Sequence, residues 1–368
     1  MTHIGIHNLQ FFDKNDIKDY KSNDFMRCLT INCPSRPYKP RTKKDLKTTM
    51  HWGQRKLLMT EIEFLTQYSK KDDLVLYVGA APAIHTSFLS KLFPTLKFIL
   101  VDPMKFNIKE TDNIEIRKEY FTDEKAKEFI NKDFLFICDI RISNDKINYK
   151  PSENEVKNDM IVQQRWVEIM KPRYSILKFR LPWNEEQFLY LDGKIVIQPW
   201  GPQSSTETRL IINDSLKKRK WNCKLYEEQM YYFNTVTRCR CYNHNIVTAG
   251  IDHCYDCSSE IHIIKKYLKT LKTLKTENIE DKDITNMIHQ ISKHLTKGEG
   301  SLMGYYYYKY LHWNNSHCSH NQKKAIKSNL LNLIYNLNIL PNNVPRNKFY
   351  RIFNEIRNIL LNTELNGE

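Results

Sequence analysis

At 368 residues the chain has room for one large core and an appendage. Its 57 Lys+Arg against 42 Asp+Glu leave a net charge of +15, which suits a polyanionic partner through counterion release and equally suits a coat of solvated lysines. No run approaches the roughly 18 apolar residues of a membrane span, and the start lacks a basic-then-apolar leader, so the expectation is a cytoplasmic protein, neither membrane-spanning nor secreted.

Residues 1–50 are polar, basic and proline-containing, an arm expected to wrap the core or to clamp a polyanion such as RNA. The run Leu74-Val75-Leu76-Tyr77-Val78 then ends in Gly79-Ala80-Ala81-Pro82, which predicts a buried parallel strand entering a tight turn. Ile84, Phe88, Leu89 and Leu92 follow at helical spacing, giving the strand, small-residue loop and helix that bring backbone close to a nucleotide. An ordinary βα turn would read the same way. A second strand, Phe98-Ile99-Leu100-Val101, ends in Asp102, where an acidic side chain commonly holds a ribose diol.

The apolar run Asp133 to Cys138 leads into Asp139-Ile140-Arg141, and a helical stretch from Val156 to Met170 precedes the strand Tyr174 to Phe179. Lys178 thus stands at the end of a strand covered on both faces, where an ammonium needs compensating partners. A lysine reaching solvent is the plainer alternative. Asp139 at the end of another strand argues for the first, because ligands bind at the carboxyl ends of strands in open α/β sheets.

Farther on, Cys239, Cys241, Cys254 and Cys257 cluster, with His244 and His253 nearby. A tetrahedral zinc site is one reading, although the C-x-C half is unusual for it. Buried free thiols are the other, on a strand suggested by Thr235-Val236-Thr237, and no metal is assigned. A cytosolic setting would keep all nine cysteines reduced. From about Ile261 the pattern turns helical. Lys265, Lys266, Lys269, Lys272 and Lys275 interleave with Leu268, Leu271 and Leu274, a basic face turned to RNA or to water. Ile326 to Leu337 and Phe349 to Ile359 predict two more helices, and Tyr305 to Tyr310 would stack bases or fill a helical core. No internal repeat is seen.

Four blocks carry a resemblance to a known family. They are Gly53-Gln54-Arg55-Lys56-Leu57-Leu58; Tyr77-Val78-Gly79-Ala80-Ala81-Pro82; the pair Asp139-Ile140-Arg141 and Leu177-Lys178-Phe179-Arg180; and Gln198-Pro199-Trp200-Gly201-Pro202 followed by Ser205-Thr206-Glu207-Thr208-Arg209-Leu210. In this order and spacing the chain resembles the RrmJ-like ribose 2′-O-methyltransferases over roughly residues 35–235, and within them the poxvirus cap-specific mRNA branch, which doubles as the small subunit of the viral poly(A) polymerase. Two positions depart. Ala83 stands where the family loop commonly has a second glycine, and Met104 where the branch has an arginine.

The resemblance implies an α/β, Rossmann-like sheet that uses S-adenosylmethionine, with helices on both faces and a mostly helical C-terminal appendage. Its expected divisions are an arm at 1–50, a methyltransferase domain at 51–258 and a helical region at 259–368. It implies a catalytic tetrad of Lys56, Asp139, Lys178 and Glu207, and cofactor contacts from Gln54, Tyr77, Gly79, Ala81, Pro82, Asp102 and Asp139. Methyl transfer to a hydroxyl needs both reactants in line and the removal of a proton from a poor nucleophile. A lysine does this only when its pKa falls, and a neighbouring ammonium together with desolvation lowers it. On that ground Lys178 is expected as general base, Lys56 as electrostatic tuner, and the two carboxylates as orienters of the amines.

The cap-specific branch grips N7-methylguanosine between aromatic rings because that base is cationic. Trp183, five residues after Lys178, falls on its stacking phenylalanine, Glu185 on its aspartate, and Glu227, in Tyr226-Glu227 before Met230-Tyr231-Tyr232, on its guanine-reading glutamate. A loop aromatic packed on the sheet edge is the alternative for Trp183, and for Tyr38, the remaining candidate ring, the plainer reading is preferred. The expected partners are capped mRNA and a poly(A) polymerase catalytic subunit or other capping enzymes, without a membrane. Methylation of the first transcribed nucleotide stands first; an RNA-binding processivity subunit and a methyltransferase for uncapped RNA are the alternatives. Abundant Lys, Asn and Ile together with the resemblance suggest a large cytoplasmic DNA virus as source.

Overall fold

The computed structural model describes residues 26–39, 53–141, 151–202, 205–239, 242, 244–246, 251, 254–272 and 279–295. They fall into two compact units, one formed by residues 25–39 and 52–234, the other containing the described residues from 235 onward. The elements of the first unit, in chain order, are β1 (Cys28–Leu29), α1 (Gly53–Tyr68), β2 (Leu74–Val78), α2 (Thr86–Leu92), β3 (Lys97–Val101), β4 (Ile114–Arg117), α3 (Asp123–Lys127), β5 (Phe134–Cys138), α4 (Glu153–Met170), β6 (Tyr174–Phe179), β7 (Gln187–Leu191), β8 (Lys194–Val196), β9 (Thr208–Asn213), β10 (Lys218–Asn222) and α5 (Cys223–Thr235).

Eight strands make one sheet in the order β1-β8-β9-β6-β5-β2-β3-β4, and β7 pairs with β10 in a separate ribbon. The continuous apolar runs fill its centre: every residue of β5 and all but the first of β2 are buried, as expected of parallel strands covered on both faces. β2 through β6 run parallel, while β9 lies antiparallel to β6 and carries β8 and then β1 beyond it. Helices cover both faces, with α1 packed on α2 and α3 on α4. This is the α/β, Rossmann-like architecture the resemblance implied. Part of the expected N-terminal arm, residues 26–39, belongs to this unit, and its Cys28–Leu29 edge strand pairs with β8.

Register aligns the rim. Val78 pairs with Cys138 and Cys138 with Leu177, so Gly79, Asp139 and Lys178 follow at one level at the carboxyl ends of three adjacent strands. Helix α4 starts from a capping box in which the Glu155 N–H donates to Ser152 Oγ at 3.2 Å and the Ser152 N–H to Glu155 Oε2 at 2.8 Å; this fixes Glu153 in its first turn.

In the second unit α6 spans Tyr255–Lys272 and α7 Asp281–Leu295. Helix α6 begins well before the expected start at Ile261; Leu268 is buried and Leu271 half-exposed. The strand suggested by Thr235-Val236-Thr237 is absent: Thr235 ends α5, and Thr237–Cys239 form a 3-10 turn. Arg238 and Asp256, both fully buried, form an ion pair at 2.8 Å inside this unit. Among the described residues no helix is long and apolar enough to cross a membrane. Leu274, Lys275, the tyrosine run and the two later predicted helices lie outside the described residues.

Candidate active site

The loop after β2 is shaped by contacts that leave little freedom. Gly79 has φ +79°, and a Cβ there would stand 2.7 Å from the Asp139 carbonyl carbon and 2.8 Å from the Ile140 nitrogen, so only glycine fits. The Gly79 N–H donates to Val101 O and the Asp139 N–H to Val78 O, each at 2.9 Å, stitching three strand ends together. Asp102 spans the next gap: its Oδ2 accepts from the Ala81 N–H at 3.2 Å and its Oδ1 from the Met104 N–H at 2.8 Å. Met104 itself points to solvent. The Ala81–Pro82 peptide bond is cis. Ala83 adopts φ +60° although it is not glycine, a conformation that costs about 1 kcal/mol for an L-residue.

Behind the loop lies a buried polar chain. Gln54 Oε1 accepts from the His85 N–H at 3.2 Å and lies 2.8 Å from His85 Nδ1. His85 Nε2 stands 3.1 Å from Glu61, whose Oε1 accepts the Tyr77 hydroxyl at 2.8 Å. Burial, followed by the Glu61 carboxylate, pushes the Tyr77 phenol well above its ordinary pKa. Tyr77 and Gln54 are thereby committed to interior partners that set the loop's shape.

At the rim the four expected tetrad residues meet as two crossed pairs. Lys56, one turn into α1, donates to Glu207 Oε1 at 2.6 Å, and Lys178 Nζ lies 2.9 Å from Asp139 Oδ1 and 3.4 Å from the Asp139 carbonyl. Two arginines complete the cluster. Arg209 donates to Asp139 Oδ1 at 2.6 Å with its other nitrogen 3.8 Å from Glu207, and Arg141 donates to Glu207 Oε2 at 2.6 Å. Burial opposes ionisation of Glu207, yet Lys56, Lys178, Arg209 and Arg141 outweigh it and hold the carboxyl well below its ordinary range. Asp139 is likewise held low, by Arg209 first and Lys178 next, against burial. Burial lowers the Lys56 amine despite the Glu207 carboxylate. Four basic side chains thus face two carboxylates, an arrangement that favours an anion beside them.

The Gln198-Pro199-Trp200-Gly201 block holds α1 in place. Trp200 is buried at φ +64° with the Arg55 guanidinium 5.6 Å from its ring, and Gln198 donates to Thr60 Oγ1 at 3.5 Å.

The expected cap residues divide. Trp183 lies just beyond β6 and is 52% exposed, with the Arg180 guanidinium 4.0 Å from its ring centroid. Glu185 is paired with Lys157 at 2.6 Å. Burial, then Glu228, raises the Glu227 carboxyl, and Arg180 and Glu153 are near enough to act on it. Tyr38 meets Tyr231 of α5 edge-on at 5.2 Å. Of the cysteine cluster, Cys254 and Cys257 are buried at the start of α6, while Cys241 and the Cys239 side chain lie outside the described residues. Among the described residues no group of three or more His, Cys, Asp or Glu is placed to hold a metal.

Sequence reasoning gave no role to Arg209, Arg141, Arg180, Glu153, Glu61 or His85. For Arg209 a signal existed: it follows Glu207 by two positions at the head of β9, hence on the same side of the strand.

A family model described as "Poly A polymerase regulatory subunit" matches residues 21–296. The chain belongs to this family. A relative from Fowlpox virus (strain NVSL), "Cap-specific mRNA (nucleoside-2'-O-)-methyltransferase", is 30% identical over 211 residues, covering 50% of this chain and 68% of the relative. A protein of the same name from Myxoma virus (strain Lausanne) is 27% identical over 229 residues, covering 55% and 67%. Among solved structures, bluetongue virus VP4 is similar at 13% identity with a TM-score of 0.37, covering 67% of this chain and 43% of VP4; a likeness at that level adds nothing to the assignment.

Proposed function

We propose that the protein is a cap-specific mRNA 2′-O-methyltransferase, which methylates the ribose 2′-OH of the first transcribed nucleotide in N7-methylguanosine-capped RNA and so converts cap 0 to cap 1. The observation that carries this reading is the crossed pairing of Lys56 with Glu207 and Lys178 with Asp139 beside the Gly79 loop. The names of the fowlpox and myxoma relatives support it.

The loop suits S-adenosylmethionine. Gly79 lets the end of β2 lie directly against the Asp139 backbone, which keeps the two strand ends together at the rim, and Asp102 retains acceptor capacity beyond the two N–H groups it already holds. Gln54, Tyr77, Gly79, Ala81, Pro82, Asp102 and Asp139 would hold the cofactor, Gln54 and Tyr77 by fixing the loop from behind. When bound, it supplies a methyl group on a sulfonium, ready for in-line displacement.

The chain's own work is to place the hydroxyl and manage its proton. Two contacts to Asp139 aim the Lys178 amine, which in its neutral form would take the 2′-OH proton as the oxygen gains the methyl group. Lys56, fixed by Glu207, would stand with that amine at the reacting hydroxyl and help to position it. Arg209 holds the Asp139 carboxylate from the far side. Trp183, Glu185 and Glu227 would receive the cationic base, with Tyr38 as the second-ring candidate.

Methyl transfer from labelled S-adenosylmethionine to short RNAs with an N7-methylated cap, an unmethylated cap or no cap tests the reading. Label on the N7-methylated cap alone, lost in Lys178→Ala, is the expected result. Equal labelling of uncapped RNA would move the substrate elsewhere, and no labelling would leave a binding subunit.

A second role is favoured by the family itself: the same chain acts as RNA-binding partner of a poly(A) polymerase catalytic subunit in the host cytoplasm or virion. Co-purification with such a subunit tests it.

A further inference from the structure

The face of Trp183 is not left to chance. The Arg180 guanidinium lies 4.0 Å from the ring centroid, and its side chain is 12% exposed while Trp183 as a residue is 52% exposed. The guanidinium therefore covers the inner face, and the outer face is left to solvent. Glu153, fixed in the first turn of α4, binds both parts: it pairs with Arg180, and its Oε2 accepts the Trp183 backbone N–H at 2.8 Å. One carboxylate thus anchors the ring's backbone and its stacked cation together.

We infer that Arg180 and Glu153 form a charge-neutral backing that positions Trp183 for a cationic base, a specificity device that rests on the cap reading above. A cation stacked on the outer face stands roughly 8 Å from the Arg180 guanidinium, about one Debye length in physiological salt. An uncompensated guanidinium at that distance, acting partly through the ring, repels it. Paired with Glu153 the guanidinium keeps its planar stacking surface without that repulsion, and Glu227 lies close enough to add to the compensation. Neutral guanine has no charge to repel, so the pairing selects for the methylated base. Arg180 follows Lys178 by two positions, so one strand end carries both the proposed proton acceptor and the support of the proposed cap ring.

The test is calorimetric titration of m7GTP and GTP into the full chain and its Arg180→Ala, Arg180→Lys and Glu153→Gln variants, with thermal melting as a folding control. Wild type is expected to prefer m7GTP. Arg180→Ala is expected to weaken m7GTP about tenfold, and Arg180→Lys, which lacks the planar fork, to recover only part of it. Glu153→Gln retains an acceptor for the Trp183 N–H and changes little but charge, so it answers even where Arg180→Ala fails to fold; it is expected to lower the m7GTP:GTP ratio about threefold or more. A wild type that discriminates, with an unchanged ratio in Glu153→Gln and unchanged m7GTP affinity in Arg180→Ala, overturns the inference alone. A wild type that does not discriminate overturns the cap reading and this inference with it.

Discussion

Lys56 and Glu207 stand 151 positions apart in the chain and meet at 2.6 Å on the rim of the sheet. The other oxygen of Glu207 is bound by Arg141, so both are committed to cations. Glu207→Ala releases both cations at once. We expect kcat to fall by about 100-fold or more, with S-adenosylmethionine affinity retained. Single-turnover methyl transfer beside calorimetric cofactor binding reads the two effects separately, and an unchanged kcat would remove Lys56 from the proposed machinery.

Asp139 accepts from Lys178 and Arg209 at one oxygen. Replacing it with Asn leaves two largely buried cations short of their counter-charge, at about 3 kcal/mol of stability at neutral pH. Denaturant midpoints of the two proteins measure this, and a change below about 0.5 kcal/mol would argue that the cluster is solvated rather than locked.

The same cluster sets an acid limit. Asp139 and Glu207 are held below their ordinary values of 3.8 and 4.5, so the stability they contribute is present in full above those values and is lost as pH falls through the lower, folded-state ones. Melting temperature followed down from neutrality should therefore drop on the acid side of about pH 4, and the Asp139→Asn protein should lose part of that slope.

Two small residues in the loop after β2 should respond in opposite ways. Gly79→Ala forces a methyl group against Asp139 backbone at 2.7 Å and is expected to abolish the melting-temperature rise expected of the wild type with S-adenosylmethionine. Ala83→Gly relieves a left-handed alanine and is expected to be neutral or to stabilise by about 1 kcal/mol. Equal behaviour of the two would contradict the account of the loop.

Tyr77→Phe removes the hydroxyl that Glu61 accepts inside the buried chain behind the loop. A loss of about 1–3 kcal/mol in stability is expected, since a buried carboxylate then lacks a donor. Urea unfolding of the variant gives the number directly.

The sheet was legible because apolar runs mark buried strands, and Asp139 and Lys178 stood out by their positions at strand ends, whereas Lys56 and Glu207 were found only through the resemblance. The arginines did not stand out. Arg141, Arg180 and Arg209 lie within motifs that were recognised, but what each one pairs with depends on strand order, and β9 beside β6 is a contact no local pattern reports. The contact between Glu61 of α1 and His85, the residue before α2, joins positions 24 apart and was invisible for the same reason. Thr235-Val236-Thr237 misled because three alternating residues are too few to outweigh the helical face of Tyr226, Met230 and Phe233, which carries α5 through Thr235.

The reversal of β9 has an evolutionary consequence. Thr208 pairs with Phe179 and so brings Glu207, one residue before the ladder, to the rim, where its N–H donates to Ser205 Oγ at 3.0 Å. The connection between β8 and β9 can therefore change length only where both Ser205 and the Gln198-to-Gly201 block that holds α1 are spared, which confines inherited insertions and deletions to the few positions between them.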